Sequence, residues 1–231
     1  MSSSPLHAVY TRLYDHYGPQ HWWPAETPFE VIVGAILTQN TAWRNVERAL
    51  VRLKERGLLS PAAMSAADLD VLEDTIRLAG YFRAKARTLR GVLALLHERY
   101  GGDLNRMLAE PGATLRVQLL RVRGIGPETA DSILLYAAGR PVFVIDAYTR
   151  RMLSRTGLAP AERLSYQELQ DLFHRQLPPN PDLFGEYHAL IVALGKDCCH
   201  KQKPRCGACP LRELCAWGQG KGPSPLPSGK N

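Results

Sequence analysis

All five cysteines of this chain, Cys198, Cys199, Cys206, Cys209 and Cys215, fall in one short stretch near the C-terminus. An odd, clustered set with no export signal argues against a disulfide framework and for a metal. Cys199, Cys206, Cys209 and Cys215 follow the spacing C-x6-C-x2-C-x5-C, four thiolates within 17 residues, which suits a soft metal centre. Ligand type alone admits both zinc and iron–sulfur. Cys198 is left over as a buried or bystander thiol. Whatever the rest of the chain folds into, this segment has to wrap an ion or a cluster.

The remaining bounds are looser. The chain has 231 residues, enough for one or two domains with real cores, and a formal net charge of +7 that shifts the odds towards a polyanionic partner. No apolar run nears the ~20 residues of a membrane span. Met1-Ser2-Ser3-Ser4-Pro5 has neither the basic nor the apolar region of a signal peptide. The expectation is a cytoplasmic protein with no membrane contact.

The second informative stretch is Gly124-Ile125-Gly126-Pro127-Glu128-Thr129-Ala130-Asp131. Gly-x-Gly permits φ > 0 and close backbone approach, and Pro127 suits the first turn of a helix. The amides left open at such a helix start form an anion site that a DNA phosphate fits. About twenty residues later the apolar run Val142-Phe143-Val144-Ile145 ends in Asp146. The run is β-prone but short and without an apparent partner strand, so it reads as a buried extended connector. Asp146 stands where the N-cap of the next helix belongs.

Helical periodicity accounts for most of the rest. Residues 6–17 carry Leu6, Val9, Tyr10, Leu13 and Tyr17 on one side. Trp22-Trp23-Pro24 reads as a hydrophobic plug. Thr27-Pro28-Phe29-Glu30 reads as a capping box opening an apolar helix that ends in Thr38-Gln39-Asn40-Thr41. Further helices are expected over 42–56, 66–79, 81–99, 114–122, 127–139 and 182–195, with Ser60-Pro61 opening a short one and Ser165-x-x-Glu168 forming a second capping box. Arg83, Lys85, Arg87 and Arg90 give one helix a basic face, open between solvent and phosphates. Gly218 to Asn231 is mostly Gly, Pro, Ser and Lys, a composition that predicts disorder.

Taken in order, Ile36-Leu37-Thr38-Gln39-Asn40-Thr41, Gly80-Tyr81-Phe82-Arg83-Ala84-Lys85-Ala86, Leu119 to Ala130, Asp146 and the four cysteines resemble the endonuclease III family of helix-hairpin-helix DNA glycosylases, over roughly residues 28–216. The resemblance implies an all-α fold of two helical domains with the active-site cleft between them. One domain would span 28–139 and contain the hairpin. The other would join 1–27 to 140–216, leaving 217–231 as a disordered tail. It implies a base-excision repair enzyme acting as a monomer on double-stranded DNA with a damaged base. Gly124, Ile125, Gly126 and Thr129 would grip phosphate, Gln39 would enter the gap left by the flipped nucleotide, and Tyr81 would wedge into the duplex. Asp146 would stabilise the oxocarbenium-like sugar or activate a water. The cysteines would hold a four-iron four-sulfur cluster, and Lys201, Lys203 and Arg205, in the loop between the first two ligands, would face phosphates. Tyr148, two residues past Asp146, reads as either a base-pocket wall or a core tyrosine.

One position departs from the family. Bifunctional members carry a lysine two residues after the hairpin's second glycine, whose amine forms a Schiff base and cuts the strand. Here that residue is Glu128. The departure implies base removal without strand cleavage and makes Glu128 a candidate for the base pocket. The hairpin wording resembles the branch that excises 3-methyladenine. Three rivals stay open: a bifunctional enzyme with a substitute amine, Lys85 being the nearest by motif, a catalytically silent damage binder, and a zinc-containing DNA-binding adaptor.

Overall fold

The computed structural model describes residues 4–221, and over them the chain is all-α, with no strand. Two compact units are distinguished, one spanning Trp23–Val142 and the other made by the chain before and after it.

The Trp23–Val142 unit is built round α2 (Pro28–Leu37), in which every residue from Phe29 to Leu37 is buried. A helix apolar on all sides belongs in a core. Onto it pack α3 (Trp43–Glu55), α6 (Phe82–Tyr100) and α9 (Pro127–Tyr136). Thr27 caps α2 by accepting from the Glu30 amide at 3.2 Å. The capping box is only half made. The Glu30 carboxylate accepts from the Glu26 amide at 3.0 Å and pairs with Lys54 at 3.0 Å instead of closing on the Thr27 amide. A carboxylate as buried as this one takes the cation, because burial makes an uncompensated charge costly. Trp23 packs edge-on against Trp43 with centroids 5.3 Å apart and lies over Gly34, inside its own unit.

The stretch read as one helix over 66–79 is three pieces. They are the end of α4 (Pro61–Ala66), then α5 (Leu69–Thr75), then a 3-10 turn at Arg77–Ala79. The break has a visible cause: the Arg90 guanidinium takes the Ser65 carbonyl at 2.6 Å and that of Ala67, carbonyls a continuous helix would use internally. Past α6, the chain forms α7 (Leu104–Ala109) and α8 (Gly112–Leu120). Asp131 of α9, fully buried, accepts from Arg116 of α8 at 2.6 and 3.2 Å, so a two-pronged ion pair fixes one helix of the hairpin on the other.

The second unit holds α1 (Pro5–Tyr17), α10 (Ala147–Thr156), α11 (Tyr166–Gln176) and α12 (Pro181–Asp197). Its core is aromatic: Phe143 stacks on Phe173 at 3.7 Å, and Tyr187, packed on both, donates its hydroxyl to the Leu6 carbonyl at 2.9 Å. The capping box at Ser165 and Glu168 is complete. Residues 217–220, assigned to the disordered tail, are turns: the Trp217 amide donates to the Arg155 carbonyl at 3.0 Å, and the Lys221 amide that follows donates to that of Ala216 at 2.8 Å. Trp217 explains this, since its ring lies against Arg155 and anchors the chain. The rest of the expected tail, 222–231, lies outside the described residues.

Candidate active site and DNA-contact elements

The hairpin turn is held from behind. Thr88 of α6 donates its hydroxyl towards the Arg123 carbonyl at 3.1 Å, and Ile125 is buried in the core, so only its backbone is available to a partner. The two glycines differ. Gly124 has φ +95, and an added Cβ would stand 2.1 Å from the Thr88 hydroxyl. Gly126 has φ −97 and ψ 177, ordinary extended backbone, and nothing lies within 4 Å of where its Cβ would be. The expectation of permissive φ therefore holds for one glycine of the pair. No side chain caps α9 at Gly126. Thr129 is buried and accepts from the Gln39 amide at 3.0 Å; the same amide donates to the Gly124 carbonyl at 3.1 Å. Gln39 thus leans on the hairpin. Glu128 is exposed in the first turn of α9.

Tyr81 precedes α6 in the left-handed region, φ 45 and ψ 30, with 73% of its surface exposed. A large aromatic held outward at a strained φ is uncommon. Asn40, beside Gln39, is left-handed too, with φ 51. Lys85 is not part of a basic face. It is buried, its ammonium donating to the carbonyls of Leu37 at 2.8 Å and Ala79 at 2.7 Å, and burial pushes its pKa down to about 8. A lysine reads as solvated when only its own helix is considered; here the carbonyls ending α2 and the 3-10 turn draw it inward. Arg83 faces Glu73 at 3.6 Å.

Asp146 sits at the end of a segment with no strand partner. Side chains of α11 supply the missing hydrogen bonds. The Phe143 amide donates to His174 Nε2 at 3.0 Å, Gln170 donates to the Phe143 carbonyl at 2.8 Å, and the Ile145 amide reaches the Tyr166 hydroxyl at 3.3 Å. Buried backbone groups need such partners, and these fix the approach to Asp146. Asp146 caps α10, accepting from the Thr149 amide at 2.7 Å, with His188 Nε2 of α12 at 3.6 Å. Burial works to raise its pKa, but His188 and the Thr149 amide outweigh it and hold the carboxyl below its ordinary value. The result is a largely buried carboxylate that is ionised at neutral pH. Tyr148 lies against the α12 backbone at Gly195, with the Arg151 guanidinium 4.9 Å from its ring centroid. Its side chain is half-buried.

Cys199, Cys206, Cys209 and Cys215 all line one cavity, with Arg155, Pro204, Arg212, Trp217 and Gly218. Arg155 donates to Cys199 Sγ at 3.1 Å, and the Gly218 amide to Cys215 Sγ at 3.4 Å. Burial pushes the Cys209 thiol up to about 11 and raises Cys215 as well, so these thiols keep their protons until a cation replaces them. Four soft donors round a cavity, with hydrogen bonds aimed at their sulfurs, fit a four-iron four-sulfur cluster. Cys198 also borders the cavity, but its thiol donates to Asp197 at 3.0 Å. Arg205 does not stand free for phosphate: it is paired with Asp197 at 2.6 Å. Lys201 and Lys203 are exposed.

The chain matches the HhH-GPD superfamily of base excision DNA repair proteins over residues 33–179. It belongs to that superfamily. Within it, the chain is 46% identical to a putative DNA repair glycosylase of Methanocaldococcus jannaschii, over 91% of this chain and 95% of the relative. It is 30% identical to endonuclease III of Sulfolobus acidocaldarius, over 82% of each. Its fold is that of endonuclease III trapped covalently on DNA, with a TM-score of 0.81, 24% identity and coverage of 96% of this chain and 99% of the other. The Helicobacter pylori 3-methyladenine DNA glycosylase bound to 1,N6-ethenoadenine superposes with a TM-score of 0.73 at 25% identity, covering 83% of this chain and 97% of that one.

Several residues of this HhH-GPD protein escaped the sequence. His188 lies in an apolar helix, where a lone histidine reads as core; its one signal is being the only imidazole between Pro181 and Asp197. Tyr166, Gln170 and His174 recur every four residues along α11, a stripe of hydrogen-bonding side chains that marks a helix face pairing with backbone.

Proposed function

We propose that this base-excision glycosylase of the HhH-GPD superfamily removes a damaged base by hydrolysis and leaves the strand uncut. One observation carries the reading: the second residue of α9 is Glu128, exposed at the hairpin, where a strand-cutting member would carry its amine. A carboxylate cannot form a Schiff base. Lys85, the nearest substitute amine by motif, has its ammonium buried on two carbonyls. The endonuclease III relatives favour the rival, a glycosylase that also cuts. The chemistry available at Glu128 argues against it.

In this reading the hairpin backbone at Gly126 and the uncapped start of α9 hold a phosphate of duplex DNA. Gln39 and Tyr81 occupy the space of the extruded nucleotide, an amide offering a donor and an acceptor, and an aromatic face for stacking. Asp146 stays ionised through the reaction and opposes the positive charge that develops on the sugar, or orients the attacking water; the Thr149 amide and His188 hold it in that form. Cys199, Cys206, Cys209 and Cys215 would hold a four-iron four-sulfur cluster, which when bound cross-links the segment structurally. The spacing of the four cysteines, which resembles that of the endonuclease III family, supports cluster over zinc. For substrate, the likeness to the 3-methyladenine enzyme and the carboxylate at Glu128 both favour a cationic alkylated purine.

The test uses a panel of duplexes, each with one damaged base, scored for free base with and without alkaline cleavage and for covalent trapping by borohydride. Base release that needs alkali to yield a nick, with no trapped adduct, is the expected result. A robust borohydride adduct would overturn it, and no release from any duplex would make the protein a silent binder.

A further inference from the structure

Two short loops carry the residues assigned above to the gap in the duplex. Gln39 lies two residues beyond the last residue of α2, and Tyr81 two residues beyond the last residue of the 3-10 turn. They come from different elements, and each sits in a tight turn with a non-glycine residue in left-handed backbone, Asn40 at φ 51 and Tyr81 at φ 45. Such turns relax unless something holds them, since each costs about 1–2 kcal/mol. Gln39 is held on one side by the hairpin. For Tyr81, 73% exposed, packing cannot be the restraint.

One nitrogen meets both loops. The Lys85 ammonium donates to Leu37 O at 2.8 Å and Ala79 O at 2.7 Å. Leu37 is the last residue of α2 and Ala79 the last of the 3-10 turn, so a buried cation sits on the partial negative charge of two converging helical ends. Its own helix begins beside Tyr81, for the Lys85 amide donates to the Tyr81 carbonyl at 3.1 Å. The side chain is buried, an expensive place for an ammonium that only a specific arrangement of acceptors justifies.

We propose that Lys85 is the positioning residue for damaged-site recognition: by tying the end of α2 to the end of the 3-10 turn, it holds the Gln39 and Tyr81 loops in one fixed spacing, so that both enter the same gap. The inference rests on the reading of Gln39 and Tyr81 as gap-filling residues. Lys85 touches neither DNA nor the reacting sugar in this scheme. The energy of ordering two loops is met in the free protein, and binding does not have to supply it again. Loss of the clamp lowers the preference for a gapped site and leaves the general hold on phosphates, made at the hairpin, in place.

The experiment measures affinity for two duplexes of identical sequence, one undamaged and one containing a tetrahydrofuran abasic-site analogue. The full chain is used as wild type, Lys85→Met, Lys85→Gln, Tyr81→Ser and the double variant Lys85→Met with Tyr81→Ser. The readout is the ratio of the two affinities, which cancels any fraction of a variant that has not folded. Lys85→Gln keeps one donor for a carbonyl and serves where Lys85→Met folds poorly. Wild type is expected to favour the analogue. Each Lys85 variant should lower the ratio about tenfold, equivalent to about 1.4 kcal/mol. The double variant should lose little beyond Tyr81→Ser, the non-additivity of residues acting as a unit. An unchanged ratio in both Lys85 variants, or full additivity with Tyr81→Ser, overturns the proposal and leaves Lys85 a helix cap. A wild type that shows no preference for the analogue removes the gap-filling reading itself, and the role of Lys85 falls with it.

Discussion

Gly124 and Gly126 look equivalent in the motif but should answer very differently to the same substitution. Gly124→Ala forces φ +95 on a residue with a Cβ and drives that carbon to 2.1 Å from the Thr88 hydroxyl. Backbone strain at such a φ costs about 1–3 kcal/mol. Overpacking that pushes Thr88 off its contact with the Arg123 carbonyl adds about 1–3 kcal/mol. The sum, about 2–6 kcal/mol, corresponds to a drop in Tm of roughly 5–20 °C at this chain length. Gly126→Ala meets neither term, because φ is −97 and no heavy atom lies within 4 Å of the added carbon. Its stability should stay within about 0.5 kcal/mol of wild type. The added methyl instead stands between the backbone and an approaching phosphate. Losing a charge-assisted hydrogen bond there costs about 1.5–3 kcal/mol, or roughly tenfold to a hundredfold in affinity. Urea denaturation and equilibrium binding to an undamaged duplex at fixed salt read the two effects separately. If Gly126→Ala were as destabilised as Gly124→Ala, the open space at its Cβ would be wrong. If it bound duplex like wild type, the hairpin would not be the phosphate grip.

Asp146→Asn should leave duplex affinity nearly unchanged and slow base release roughly 100-fold or more, the scale of a positioned acid–base group; single-turnover release at wild-type rate would rule out the role. His188→Gln removes the main influence holding the Asp146 carboxyl down while burial, which raises it, remains. The acid limb of the excision profile should therefore move to higher pH, and an unmoved limb would show that His188 does not govern that ionisation. The same depressed pKa makes Asp146 stabilising above its unfolded value and less so as pH falls through the folded one, so the stability that Asp146→Asn loses should be greatest at neutral pH and shrink on acidification, read by urea denaturation at several pH values. Cys209→Ser should abolish the visible absorption of a thiolate-bound iron–sulfur centre and open residues 196–216 to proteolysis; zinc found in wild-type protein made with iron available would refute the cluster. Tyr81→Gly should be as stable as wild type or slightly more so, because the left-handed φ of 45 costs glycine nothing, yet bind a damaged site less well.

Local chemistry is what the sequence by itself determined. The apolar period set the helices, Thr27, Ser60 and Ser165 set their starts, and Gly57 and Gly101 their ends, because those signals act over one or two turns. The cysteine spacing and the hairpin wording were legible for the same reason, each lying within a single segment. What the tertiary structure alone decided were pairings between distant residues. Lys85 and the Leu37 carbonyl are 48 positions apart, a partnership that no local signal in the run Arg83, Lys85, Arg87, Arg90 names. Glu30 left its capping box for Lys54, Arg205 paired with Asp197, and a helix broke at Ala66 because Arg90 claimed its carbonyls. Asp146 was visible as a cap, but its ionisation depends on His188 and its aim on Tyr166, Gln170 and His174. A charged or polar side chain settles on whichever partner the packed fold brings within reach, and that choice is written in three dimensions because electrostatic and hydrogen-bond energies depend on distance in space, not along the chain.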